Sequence, residues 1–260
     1  MQLALIPPHK YLKTYQDESD LFMCLAPFLE DPAYFEFFVQ KAREGKYVMM
    51  DNGAAEGKLL TGKEQMQWAL ALKPHEVIAP DYLHDGQKTR GATEQFLDEH
   101  YDELAEHNIA VNAVVQGATL EDALCTLDTF EADGRIEVIS LPFAGLDFFS
   151  DFNVPEAINK TQRNALSRLW FTKTVYITKP VHLLGLYQPL ELSYHNDTIR
   201  SCDTSLPFKM TLVHDLILGS GIGEKPDFGD EYFTSSLDNV QSLAAHNIRE
   251  LQNHAKNKFN

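Results

Sequence analysis

Six short apolar runs in this chain each end in a residue able to do chemistry. Tyr47-Val48-Met49-Met50 leads into Asp51-Asn52-Gly53, Glu76-Val77-Ile78-Ala79-Pro80 into Asp81, and Ala110 to Val115 into Gln116-Gly117. Glu137-Val138-Ile139-Ser140 leads into Leu141-Pro142-Phe143, Val181-His182-Leu183-Leu184 into Gly185, and Thr198-Ile199-Arg200-Ser201-Cys202 into Asp203. A β-strand buries a short apolar run, and the loop after it presents the next residues. The strand ends thus offer three carboxylates, Asp51, Asp81 and Asp203, and one amide, Gln116. No Ser or Cys has a His partner in a local motif suited to nucleophilic catalysis. Carboxylate-only sites bind a hard metal or act on a glycosidic carbon. The amide tips the balance to the second. It carries donors and an acceptor, which suits the edge of a nucleobase. A neighbouring aspartate can accept the two parallel N–H bonds that guanine offers through N1–H and its exocyclic amine. One carboxylate and one amide can read guanine while the other carboxylates cut its bond to the sugar.

Such a site needs elements that bring distant residues together. Two further apolar runs, Gln2–Ile6 and Leu21–Ala26, precede the six and make eight strands. Helical patterns fill most of the gaps, so strands and helices alternate as in α/β proteins. The expectation is a single-domain (β/α)8 TIM-type barrel over residues 1–260, with the chemistry at one mouth. Pro32–Gly45 follows Asp31, a suitable N-cap. Thr61–Leu72 opens with a capping-box pattern. Thr89–His107, Thr119–Phe130 and Pro155–Phe171 are further helices. Ser235–Lys258 is an amphipathic C-terminal helix with Leu237, Val240, Leu243, Ile248 and Leu251 for packing. The Gly-rich stretch from Gly219 to Asp230 reads as a loop. Its Gly219-Ser220-Gly221-Ile222-Gly223 run lacks the Gly-Lys-Ser/Thr ending of a phosphate loop.

The chain has 260 residues, 44% of them hydrophobic, and a net charge of −16. That charge argues against passive, sequence-independent nucleic-acid binding, which needs a basic footprint. One local exception runs from Glu156 to Pro180, with Lys160, Arg163, Arg168, Lys173 and Lys179 beside Trp170, Phe171 and Tyr176. Two readings of it stand: a solvated helix face, or a phosphate-contacting element with stacking aromatics, in which Arg163 and Arg168 touch nucleic acid. Cys24, Cys125 and Cys202 are few and far apart, so no disulfide framework is expected and a reducing cytoplasm fits, a host's if the chain is viral. The scattered histidines reproduce no zinc spacing. No long apolar stretch predicts a membrane span. The opening Met1-Gln2-Leu3-Ala4-Leu5-Ile6-Pro7 reads as a first strand rather than a secretory signal. His182 reads as a satisfied core histidine, Trp68 as helix packing, Asp85 and Asp147 as loop residues, and Glu191 as a group that could orient a catalytic one.

Asp51-Asn52-Gly53, Pro80-Asp81, Val114-Val115-Gln116-Gly117, His182-Leu183-Leu184-Gly185 and Ser201-Cys202-Asp203-Thr204-Ser205-Leu206-Pro207 resemble the ordered motifs of tRNA-guanine transglycosylases. The resemblance runs from Tyr47 to Pro207. It is closest to the shorter, DNA-acting branch, the phage-type DpdA 7-deazaguanine DNA transglycosylases. It implies that Asp203 is the nucleophile attacking C1′ and Asp51 the second catalytic acid. It implies that Asp81 and Gln116 recognise the purine, with Asn52 and Gly117 beside them. The backbone at Leu141 would face the base carbonyl, Leu184 would pack on the base, and Gly185 would leave it room. The implied partners are DNA and a 7-deazaguanine base, with no cofactor and no membrane; oligomerisation is left open. Three departures stand out. The Cys/Cys/Cys/His zinc site of the tRNA enzymes has no match here. Ala54 and Ala55 stand where the family has a bulky aromatic, so Tyr82 or Phe143 must supply the other face of the base sandwich. Pro142 lacks an N–H, so backbone readout there departs from the family's. The rival functions are a tRNA-acting transglycosylase, a non-catalytic nucleic-acid-binding subunit and, more remotely, an ordinary glycosidase.

Overall fold

All eight apolar runs become parallel strands: β1 (Gln2–Leu5), β2 (Leu21–Leu25), β3 (Tyr47–Asp51), β4 (Glu76–Ile78), β5 (Ala110–Val114), β6 (Val138–Pro142), β7 (Val181–Leu184) and β8 (Ile199–Thr204). Each pairs with its neighbours in chain order, and β8 returns to β1, closing an eight-stranded (β/α)8 barrel. The computed structural model describes all residues except Asp20, 144–159, 196–198, 220, 221, 223 and 258–260. Asp147, Thr198, Gly221, Gly223, Lys258 and the 155–159 start of the fifth expected helix therefore lie outside the described residues.

Local chemistry sets the helix starts. Asp31 accepts from the N–H groups of Ala33 and Tyr34 at the head of α1 (Pro32–Arg43). Thr61 and Glu64 exchange the reciprocal bonds of a capping box at α2 (Gly62–Leu72). The next helix, α3 (Gly86–Glu106), starts earlier than its apolar pattern suggests, because Asp85 caps it by accepting from Lys88 N–H. Asp85 is thus a cap rather than a plain loop residue. Thr119 caps α4 (Leu120–Ala132), and α5 spans Lys160–Thr174. Two helices have no counterpart in the sequence pattern: α6 (Pro189–Tyr194) and α7 (Leu206–Leu212). Neither reaches two full turns, too little for a 3.6-residue period to register. The last helix, α8 (Gln241–Lys256), starts after the expected Ser235, because Asp238 and Asn239 form a turn in which Asn239 takes a left-handed φ of 72°. Leu237, Ile248 and Leu251 are buried as expected.

Two apolar layers result. A large one lies between strands and helices, and Trp68 packs at its edge against Phe35. A smaller one fills the barrel with Ala4, Leu21, Met23, Leu25, Met49, Ile78 and Val114. The barrel floor is polar. Glu76, fully buried, takes both guanidinium nitrogens of Arg200 at 2.8 and 3.0 Å. It also accepts from Tyr47 Oη at 2.6 Å and Asn112 Nδ2 at 2.7 Å. Among the described residues, no helix is long and apolar enough to cross a membrane.

Glu76 is the common acceptor for three donors on three strands. Removing one member of a buried ion pair costs about 3–5 kcal/mol. Glu76→Ala is expected to fall toward the lower end of that range, since Arg200 keeps some exposure. Urea unfolding followed by circular dichroism measures it.

Candidate active site

Asp51, Asn52, Asp81, Gln116 and Asp203 all line one cavity of about 430 Å³ at the carboxyl ends of the strands. That volume lies within the usual range for small-molecule sites. The strands place them. Register puts Asp51 beside Leu25 and Asp203 beside Ala4, so both acids extend the barrel's inward-facing rows. Asp81 and Gln116 follow β4 and β5 within three residues.

Asp81 is locked by amides. Asn52 Nδ2 donates to Oδ1 and Gln116 Nε2 to Oδ2, both at 2.7 Å. Asn52 Nδ2 also donates to Ala79 O, and Gln116 Oε1 accepts from His84 N–H at 3.1 Å. Each carboxylate oxygen has more than one acceptor site, so Asp81 can still take N–H groups from a ligand. Burial raises its pKa, opposed by the two amide donors.

Asp203 is held from one side only. Gly185 N–H at 2.8 Å and His182 Nε2 at 3.2 Å both donate to Oδ1. A carboxylate only accepts, so Nε2 carries the hydrogen. Ser201 Oγ accepts from Arg200 Nε at 3.2 Å, which leaves its own hydrogen to point at Nδ1, 2.8 Å away. Among the described residues, both bonds that reach this carboxylate leave Oδ2 unengaged. His182 is satisfied and fully buried, as the sequence suggests, but its partner is the candidate nucleophile. Gly185 has φ +70, a left-handed backbone that a side chain would strain, and this turn is what aims its N–H at Asp203.

Asp51 accepts from Gly53 N–H at 3.0 Å. Burial, then the charge of Glu56, push its carboxyl well above the usual range, and Asp81 and Asp203 add to the shift. Glu56 lines the same cavity and its Oε2 is buried without a hydrogen-bond partner. Burial raises its pKa too, and the Asp203 charge adds to that. Sequence reasoning missed Glu56; its only signal was a position five residues beyond Asp51.

Several expectations need correction. Arg168 is fully buried and cannot reach a phosphate. It binds Glu191 at 2.7 and 3.0 Å and donates to the carbonyls of Leu141, Leu184 and Gly185. Burial opposes ionisation of Glu191, but the Arg168 charge, with His195, holds its pKa below the usual range. Glu191 therefore orients the site through Arg168 and Gly185. Arg163, half-buried on α5, lies outside the cavity lining. Leu141 is buried outside the lining, with its carbonyl turned to Arg168; Pro142 and Phe143 stand at the cavity instead. Gly117 also lies outside it. A Cβ there would sit 2.4 Å from Ala123 N, so glycine lets α4 pack close to the strand end. Leu184 and Gly185 do line the cavity. Phe143 does too, stacked on Tyr187 at 4.0 Å and 7°, whereas Tyr82 sits outside under Lys88. Among the described residues no group of three His, Cys, Asp or Glu is placed to hold a metal ion.

The buried acids have a cost that pH reveals. The folded pKa of Asp51 lies above its unfolded value of about 3.9. Its ionisation therefore removes stability as pH rises from the unfolded value through the folded one. Asp51→Asn should unfold at a higher urea concentration than wild type at pH 7, with the difference fading toward pH 4. A wild type more stable than the variant at pH 7 contradicts the burial account.

Compared with protein-family models the chain matches none, and no curated protein matches it, so the reading of this site rests on its residues and their geometry.

Proposed function

We propose that this chain is a base-exchange transglycosylase that replaces guanine in DNA with a 7-deazaguanine derivative. The observation that carries the reading is the pairing of two unlike devices in one cavity. An aspartate clamped by two amides, Asp81, faces the same space as an aspartate held by one oxygen, Asp203. The first suits the N–H edge of a purine, and the second suits attack on a sugar carbon. Resemblance to the transglycosylase motifs supports the same reading.

The target nucleotide leaves the duplex to reach the cavity, at a cost of a few kcal/mol for unstacking. Oδ2 of Asp203 attacks C1′ as the C1′–N9 bond breaks and its electrons pass to guanine. Asp51, whose carboxyl burial pushes well above the usual range, is placed to supply a proton to the departing base. The result is an Asp203–sugar ester, as in retaining glycosidases. A 7-deazaguanine base then enters, gives its N9 proton to Asp51, and attacks C1′ to release Asp203. Two inversions retain configuration, and no redox change or nucleoside triphosphate is needed.

His182 and Gly185 hold Oδ1 so that Oδ2 points to the sugar. His182→Phe leaves only one donor on that oxygen, and exchange should fall about 10- to 100-fold, near the cost of one lost positioning hydrogen bond to a charged group.

Incorporation of labelled guanine, measured on DNA and on tRNA side by side, tests the reading. Wild type is expected to label DNA, and Asp203→Asn to lose about 10³-fold or more in rate along with the denaturation-resistant protein–DNA adduct. Labelling of tRNA alone reassigns the substrate. Full exchange by Asp203→Asn rules out the covalent route.

A further inference from the structure

The charged groups of the cavity are mostly acids. Asp51, Glu56, Asp81, Asp203, Asp227 and Asp230 contribute to its walls, and its only described cations are Lys209 and Lys225. Lys209 stands on α7, which follows β8 directly, so it lies about one helical turn into α7 and six residues beyond Asp203. Lys225 comes from the Gly-rich segment and is placed over the Tyr187 ring, 4.2 Å from its centre.

Among the described residues neither lysine makes a hydrogen-bonded ion pair. The nearest carboxylate to Lys209 is Asp227 at 3.9 Å, beyond hydrogen-bond reach, on a side chain 92% exposed. Lys225 gives one N–H to Leu186 O at 3.1 Å and has no described carboxylate within ion-pair distance. Yet its ammonium is buried and close enough to Lys209 to feel its charge. Burial first, and Lys209 second, push Lys225 down to about 7; burial also lowers Lys209. Two like charges brought together away from water are unfavourable unless an anion joins them. The nearby acids offset this only in part: the charge of Asp203 raises Lys225 and those of Asp227 and Glu56 raise Lys209, yet burial outweighs them, and among the described residues no carboxylate hydrogen-bonds either ammonium.

We propose that Lys209 and Lys225 form a phosphate subsite at the cavity rim, which takes the phosphate attached to the sugar of the nucleotide whose base lies inside. Naming the ligand as a nucleotide rests on the base-exchange reading; the anion site itself does not. The pair answers a problem that the charge of −16 poses. An acidic protein needs a local cationic hold on a nucleic acid, and two charge-assisted bonds from lysines to one phosphate supply it. Such a hold also fixes the sugar relative to Asp203, which serves proximity as well as affinity.

Calorimetric titrations with deoxyguanosine, deoxyguanosine 5′-phosphate, 2-deoxyribose 5-phosphate and inorganic phosphate test this, on wild type, Lys209→Met, Lys225→Met and the double variant. Melting temperatures check that each variant folds. The expected result is binding of the 5′-phosphate at least about tenfold tighter than deoxyguanosine in wild type, reduced in each single variant and lost in the double one. Equal binding of the two by wild type, or a phosphate advantage that survives in the double variant, overturns the subsite. If the base-exchange reading alone is wrong, deoxyguanosine does not bind and DNA is not labelled, while the phosphate-bearing sugar still binds with the same dependence on both lysines.

Discussion

The buried guanidinium of Arg168 constrains this site more than any other group. A charge without solvent must be matched on every donor. Glu191 supplies two oxygens, and the carbonyls of Leu141, Leu184 and Gly185 supply the rest. Those carbonyls belong to the ends of β6 and β7, so one side chain ties two strand ends to α6. With the Leu184 carbonyl drawn outward to Arg168, the Gly185 N–H across the same trans peptide faces inward to Asp203. Thr172 and His195 brace Glu191 from behind. The position of a candidate nucleophile is thus settled by an ion pair that never touches the cavity.

The inside of the barrel is divided. On one side Met23, Leu25, Met49, Ile78 and Val114 pack as an ordinary apolar filling. On the other a polar lane runs from Asp203 through His182, Ser201 and Arg200 to Glu76, where Asn112 and Tyr47 join. Every side chain in the lane is hydrogen-bonded, which is what makes so polar an interior tolerable, although Asn112 Oδ1 meets no donor among the described residues. Donor roles are consistent along its length, so the arginine at the floor and the carboxylate at the mouth fix one tautomer of the histidine between them.

Strands and mouth were legible because they depend on local pattern. A short apolar run followed by Asp or Gln needs no knowledge of the rest of the chain, and Asp51, Asp81, Gln116 and Asp203 were found that way. The hidden part depends on pairing at a distance. Arg168 lies in a basic stretch that reads as surface, and only Glu191, 23 residues on, makes its burial tolerable. Leu141 looked like a reader of the base because nothing local reveals which way its carbonyl turns. Gly117 looked like part of a motif, yet its lack of a side chain serves the approach of Ala123. Lys209, Lys225 and Glu56 sit in segments without period, and α6 and α7 are too short to have one.

Closure of the sheet has a temporal side. The strand that bears Asp203 is bonded to the first strand of the chain, from Gln2 with Ser201 to Leu5 with Thr204, across some 200 positions of sequence. Contacts so remote form late, because the loop entropy must be overcome before they contribute. During synthesis Asp51, Asp81 and Gln116 can emerge and their strands can pair while the enclosure still gapes. The assembled mouth is an all-or-none property of the joined ring, so a nascent or shortened polypeptide would carry most of the acids and none of the chamber.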